Sequence, residues 1–490
     1  MCHEVRPSMP DIIAVTGCLE STYGIDSHYL MKLLCTRRVH RSPRRGRGGT
    51  ISSRAMFAWH GTSRIVVTLA VLGLCRAAQA QTPVDSALAA YIATIRAIDD
   101  HAHPMRPVAP GAPADTEFDA LPLDGIPPFP IPWRLTPDAP VWAQAARALY
   151  GNQTAEARAR VLRERGERFP EWVLDRAGID VMLANRIALG PGLAAPRFRW
   201  VPFDDALLFP LDTRNEATRT PDTRSLYPRE AALLQRYLRD LGLDAVPPTL
   251  EAYVATVILP TVRRQRETGA IAIKFEAAYL RPLDFDDPDS AAARDVYARY
   301  AAGGAPTRAE YKTLVDYLFR VIAAAAGRQG LAVHLHVLET FGGYYTARGA
   351  TAGLLEPVFN DSTLRGTNFV IIHGGWPEVG ETEAMLGKPN VYADISMLDL
   401  ILEPAELAQV LRPWLARWPD KVLFGTDAFE GGPGQGWEAG AVAAATTARR
   451  ALAMALTAML RDGDIDRARA RALARMVLRD NAAALYHLLE

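Results

Sequence analysis

The side chains that could do chemistry in this 490-residue chain are histidines and a few acids, and their spacing suits a metal site. Of the ten histidines, His3, His28, His40 and His60 precede residue 81, and His487 falls in the last helical stretch. The other five lie in or at the ends of short apolar runs. His101-Ala-His103 follows Ala97-Ile-Asp-Asp100. On a strand, side chains two residues apart share a face, so both imidazoles can point at one ion. Zinc takes such nitrogen ligands at ~2.0–2.1 Å. His336 ends Leu331-Ala-Val-His-Leu-His336 and is the expected ligand there, with His334 as a deeper, hydrogen-bonded support. His373 closes Val370-Ile-Ile-His373, and two glycines after it let the backbone turn sharply. Asp427 closes Val422-Leu-Phe-Gly-Thr-Asp427. A carboxylate there can bind a divalent ion and accept a proton from its water, whose pKa such an ion lowers towards ~7. The plainer alternative for Asp427 is an N-cap of the following segment.

Lys274 stands out in a chain with five lysines, because it occupies the apolar run Ala270-Ile-Ala-Ile-Lys-Phe275. Three readings are open. It could take up carbon dioxide and bridge two metals as a carbamate, or stay an ammonium and bind a substrate carboxylate. It could also be a snorkelling or ion-paired lysine, with Glu276 on the same strand face.

These residues need elements that bring them together. Eight β-type runs cover residues 96–100, 179–184, 198–203, 270–275, 331–337, 369–373, 391–395 and 422–425. Amphipathic stretches such as 307–328 and 404–418 lie between several of them. Strands alternating with helices predict an α/β fold with a parallel, helix-covered sheet. Eight such runs favour a closed (β/α)8 TIM barrel, whose site sits at the C-terminal ends of the strands. Two Pro-rich segments, 104–140 and 201–248, follow the first and third strands. They are too long for simple turns and should fold over the mouth with a helical stretch at 142–168. Residues 462–490 should form a closing helix on the outside.

Composition narrows the function classes. Residues 1–80 hold 11 of the 55 basic side chains and 4 of the 55 acidic ones, so the rest of the chain carries a net of −7. An acidic body is a poor nucleic-acid partner. Cys2, Cys18, Cys35 and Cys75 all precede residue 81, which leaves only nitrogen and oxygen donors for a metal downstream. Residues 56–80 combine a basic flank, an apolar run too short to span a bilayer and Ala78-Gln-Ala80, the pattern of a secretory signal peptide. On that reading residues 1–55 are a leader outside the folded protein, and the chain from 81 onward is exported, periplasmic or secreted, without stable membrane insertion. The expected partner is a small molecule, and self-association is compatible with the sequence. Gly431-Gly-Pro-Gly-Gln-Gly436 lacks the Lys-Ser/Thr ending of a phosphate loop and reads as a mouth loop.

The order HxH, Lys, His, His, Asp on successive strands resembles the amidohydrolase superfamily, in particular its amidohydrolase-related, metal-dependent hydrolase branch. The segments that carry the likeness are Asp99-Asp-His-Ala-His-Pro104, Ile273-Lys-Phe-Glu276, His334-Leu-His336, Ile372-His-Gly-Gly-Trp-Pro377, Val391-Tyr-Ala-Asp-Ile-Ser396, Leu423-Phe-Gly-Thr-Asp427 and Arg479-Asp-Asn481. The resemblance implies that His101, His103 and Asp427 hold the more buried ion, joined by His336 in one-metal members. In two-metal members a Lys274 carbamate bridges, with His336 and His373 on the second ion. Where one metal is present, His373 orients or protonates the substrate. The implied activity is hydrolysis of an amide, ester or lactone of a small substrate, neutral or anionic, by hydroxide formed on a divalent ion such as zinc. A non-oxidative decarboxylase and an inactive exported binding protein are the alternatives. Tyr279, Arg281, Tyr344, Tyr345 and Trp376 follow the fourth, fifth and sixth strands and are candidate substrate contacts, the arginine suiting an anion.

Overall fold

The computed structural model describes residues 84–488, apart from 109–110, 112, 123–125, 220, 340–342, 344 and 433. The leader and signal peptide expected at 1–80 lie outside these residues. Each of the eight apolar runs contains a strand: β1 Ala97–Ala102, β2 Ile179–Asn185, β3 Phe198–Val201, β4 Ala272–Phe275, β5 Ala332–His336, β6 Phe369–Ile372, β7 Val391–Asp394 and β8 Val422–Leu423. All pairings are parallel, in a sheet β1-β2-β3 and a sheet β4-β5-β6-β7-β8.

Backbone hydrogen bonds also run between the two sheets. Ile271 N donates to Trp200 O at 3.1 Å and Lys274 N to Pro202 O at 2.8 Å. On the other flank, Asp100 N donates to Phe424 O at 2.8 Å, Asp427 N to His101 O at 2.7 Å and His103 N to Ala428 O at 2.8 Å. The first and last strands thus exchange bonds at the level of the predicted ligands.

Strand alternation separates two environments. Phe275, Val333, Leu335, Phe369, Ile371 and Phe424 belong to the large core shared with the helices. Their neighbours Ala272, Ala332, Val370, Ile372 and Leu423 form a smaller cluster on the other face, where Lys274, His334 and His336 also point by the two-residue period. The polar candidates therefore project away from the helix layer. Helix Arg308–Arg328 shows how that layer is set. Thr307 Oγ1 accepts from Glu310 N at 3.3 Å and Glu310 accepts from Thr307 N at 2.9 Å, a reciprocal cap that starts the helix where its amphipathic pattern begins. Phe319 from its buried face meets Phe275 of β4 with ring centroids 5.1 Å apart.

Two expectations change in detail. The helical stretch read at 142–168 is not continuous: Pro140–Tyr150 stops at Gly151 (φ 80°), and Ala155–Arg165 restarts from the Thr154 cap. Nor does the chain end only cover the outside. After helices Trp437–Asp462 and Arg467–Arg475, residues Ala482, Ala483 and Tyr486 enter the smaller cluster beside Ile98, Leu183 and Val370. Among the described residues, no helix is long and apolar enough to cross a membrane.

Candidate metal centre

The carboxylate of Asp427 is the meeting point of the predicted ligands. Its Oδ1 lies 3.2 Å from Nε2 of His101 and 3.5 Å from Nε2 of His103, while Oδ2 lies 3.7 Å from Nδ1 of His373. His336 joins through its Nδ1, 3.1 Å from Nε2 of His373. Lys274 is fully buried, its Nζ 3.2 Å from Nε2 of His101 and 3.9 Å from Oε1 of Glu276. The six residues named from sequence as possible ligands therefore lie together. His334 sits deeper, with Nε2 2.7 Å from the hydroxyl of Tyr486.

Local sequence explains this geometry. Among the described residues, the non-glycines with positive φ are His373 (67°), Met397 (60°), Asp427 (47°) and His487 (54°), and the first three border the centre. Left-handed backbone at such residues costs about 1–3 kcal/mol each and persists only where the surroundings enforce it. Around His373 they do: Asp394 Oδ1 accepts from His373 N at 2.7 Å, Ser396 Oγ is 3.0 Å from His373 Nδ1, and Gly374 and Gly375 continue at φ 58° and 70°. Asp99 fastens Asp427's strand end, accepting from Thr426 N at 2.9 Å and Thr426 Oγ1 at 2.6 Å. Gly425 makes this approach possible, since a Cβ there would stand 2.6 Å from Asp394 Oδ2 and 2.9 Å from Ser396 Cβ.

Electrostatics favour ligand behaviour. Burial, reinforced by the Lys274 ammonium, holds His101 and His336 well below the usual imidazole range. Burial, His336 and Lys274 do the same to His373. These rings stay neutral and keep a lone pair for a metal. Burial pushes the Asp427 carboxyl up, with His103 and Lys274 opposing. The same cause lifts Asp394 to about 7 and Asp99 to about 8. Neutral imidazoles around a carboxylate, with Nδ1 of His101 and Nε2 of His336 buried and lacking hydrogen-bond partners, form a nitrogen–oxygen donor set that fits a divalent ion. His101, His373 and Asp427 have ligand atoms within 4.8 Å of one another.

The centre opens into a cavity of about 500 Å³, lined by His103, Asp119, Glu276, Tyr279, Asp427 and Glu430 among others. In a neighbouring cavity of about 360 Å³, Tyr345 and Trp376 form the lining with Ile131 and Leu338, and Met397 borders both cavities. Tyr279 thus reaches the first cavity, Tyr345 and Trp376 the second, and Tyr344 lies outside the described residues. Arg281 is a correction. It borders neither cavity, being buried with its guanidinium 2.6 Å from Asp316 and 3.2 Å from Asp284, and stacked on Phe285. No lysine or arginine is among the described residues lining either cavity.

Sequence reasoning missed Asp119, Ser396 and Glu430 and treated Glu276 only as a partner for Lys274. Asp394 and Ser396 had a usable signal, two polar residues at strand spacing closing β7. Asp119 had none, because the segment after β1 has no period. It is placed there by Asp115, four residues earlier, which accepts from fully buried Arg186 at 2.9 and 3.0 Å.

Residues 230–488 match the family model described as amidohydrolase. Solved structures with a similar fold include a protein described as a metal-dependent hydrolase from Lactobacillus casei (16% identity, TM-score 0.55), where the likeness covers 83% of this chain and 100% of that one. Uronate isomerase from Thermotoga maritima is 14% identical at a TM-score of 0.52, covering 82% and 96% of the two chains. Glucuronate isomerase from Caulobacter crescentus is 14% identical at 0.55, covering 82% and 94%. No curated protein matches the chain.

Proposed function

The chain belongs to the amidohydrolase family, and on that premise we propose that it is a metal-dependent hydrolase of amide, ester or lactone bonds, built on a closed eight-stranded barrel. The closure is supported by the hydrogen bonds from β1 to the end of β8 and from β4 to β3. The observation that carries the activity is the convergence of three imidazoles, from His101, His103 and His373, on the Asp427 carboxylate at the floor of the larger cavity. A divalent ion held there supplies Lewis acidity towards a carbonyl and acidifies water.

The protein's own groups supply the rest. Asp427, with its carboxyl raised by burial, takes a proton from the attacking water and returns it to the leaving group. His373 is oriented by Ser396 and His336 on its two ring nitrogens and bears on the substrate from the β6 side. Tyr279, with its ring 4.5 Å from that of His336, forms a wall against which the scissile group is held. Lys274 keeps a structural or metal-bridging role, as ammonium or carbamate, since it does not line the cavity. No guanidinium or ammonium is among the described lining residues, so an anionic group on the substrate would be met by the divalent ion, and an apolar arm by Trp376, Ile131 and Leu338.

The test is metal content per chain with an ester, lactone and amide panel, before and after chelation. Hydrolysis that is lost with the metal, restored by zinc or manganese, and absent in Asp427→Asn is expected. Retention of full hydrolysis by metal-stripped protein, or metal-loaded protein inert on every carbonyl substrate, would sink the proposal.

A further inference from the structure

His103 is turned between two carboxylates. Its Nε2 lies 3.5 Å from Oδ1 of Asp427, and its Nδ1 lies 3.2 Å from Oδ2 of Asp119. An imidazole that binds a metal is neutral, with one N–H and one lone pair, so the two acids compete for a single ring proton. A proton on Nε2 would point at Asp427 and close that nitrogen to an ion. A proton on Nδ1 is accepted by Asp119 and leaves the Nε2 lone pair facing the centre.

Asp119 is held for the second arrangement. Its Oδ1 accepts from Leu121 N at 2.9 Å, which leaves Oδ2 for His103. The segment that carries it is fastened four residues earlier, where Asp115 binds fully buried Arg186. The His103 ring stacks on Phe203, with centroids 6.1 Å apart and planes at 28°, and its backbone N donates to Ala428 O at 2.8 Å. Nδ1 is buried and not yet well aligned with Oδ2, so a slight rotation of the ring completes the bond. Nδ1 of His101 and Nε2 of His336, by contrast, are buried without partners.

We propose that Asp119 is a positioning residue for the metal: it accepts the Nδ1 proton of His103, fixes that tautomer and aims Nε2 at the centre beside Asp427. This role rests on the metal-dependent reading above. A carboxylate behind a ligating imidazole also makes the ring a stronger donor, and loss of such a partner costs about 10–100-fold in metal affinity. Asp119 lines the larger cavity, so the rival role is a direct contact with substrate.

The experiment is titration of metal-stripped protein with zinc against a competing chelator, repeated with Co²⁺ and read from its visible spectrum. Wild type is compared with Asp119→Ala and with Asp119→Asn, which keeps an acceptor oxygen but not the charge. Asp119→Ala should bind as many ions about 10–100-fold more weakly, with a shifted Co²⁺ spectrum. Asp119→Asn should lie closer to wild type on both counts. If both variants match wild type while Asp427→Asn loses metal, the positioning role is refuted and the proposed hydrolase stands. If Asp119→Asn falls as far as Asp119→Ala, charge rather than the hydrogen bond is what counts, which also refutes it. In zinc-loaded wild type labelled with ¹⁵N-histidine, the imidazole whose signals move in Asp119→Asn should be protonated at Nδ1. A proton at Nε2 there would overturn the role whatever the variants bind. No binding of zinc or Co²⁺ by wild type would overturn both readings.

Discussion

The hydroxyl of Tyr486 lies 2.7 Å from Nε2 of His334, tying the last helical turns to the inner face of β5. Both groups are buried, and Nδ1 of His334 has no hydrogen-bond partner. Tyr486→Phe would strand the other ring nitrogen too. A buried polar group left alone costs about 1–3 kcal/mol. Urea denaturation should show a loss in that range, with metal content unchanged because His334 lies below the ligands. Unaltered stability would mean that His334 finds another partner.

Gly425→Ala should be far worse than its size suggests. The added methyl would meet Asp394 Oδ2 and Ser396 within 3 Å, where three strand ends converge. Overpacking of this kind costs about 1–3 kcal/mol. The displacement falls on the Thr426-Asp427 turn, so bound metal should fall with the melting temperature. Gly380→Ala is the control, having nothing within 4 Å and an ordinary backbone. Equal melting temperatures in the two variants would contradict the close approach.

Asp115→Ala should destabilise strongly, because Arg186 is wholly buried and shares two hydrogen bonds with that carboxylate. Removing one partner of a buried ion pair costs about 3–5 kcal/mol. Chemical denaturation would measure the loss. Protease sensitivity of the segment around Asp119 should rise in parallel, since Asp115 is its anchor. A variant as stable as wild type would show that the pair does not hold this segment.

Trp376→Ala should act on substrate choice. Trp376 lines the apolar cavity that meets the metal-side cavity at Met397. On the proposed ester substrates, KM should rise by about tenfold, equivalent to ~1.4 kcal/mol, for long apolar acyl groups and stay unchanged for acetyl esters. Uniform change across the series would place the apolar arm elsewhere.

The strands were legible because β-branched and apolar runs bounded by turns have a local cause. The gathering of these side chains was legible because HxH and the strand-end His336, His373 and Asp427 inherit their position from the strand that carries them. Asp119 was not. Asp115 and Asp119 lie in the same Pro-rich segment, and only the folded chain decides that Arg186 takes the first and His103 meets the second. Arg281 misled for the same reason, since Asp316, which binds it, sits in a helix whose packing no local pattern announces. Lys274 was recognised as unusual, but the acids that surround it come from separate segments.

The bond from Asp427 N to the carbonyl of His101 has a consequence for how the protein comes into being. The two halves of the centre are separated by nearly the entire folded chain, and Tyr486 must still be added beneath them. A nascent chain that has not yet reached Asp427 lacks part of this centre. A message cut short before Asp427 yields a product without the carboxylate on which the imidazoles converge.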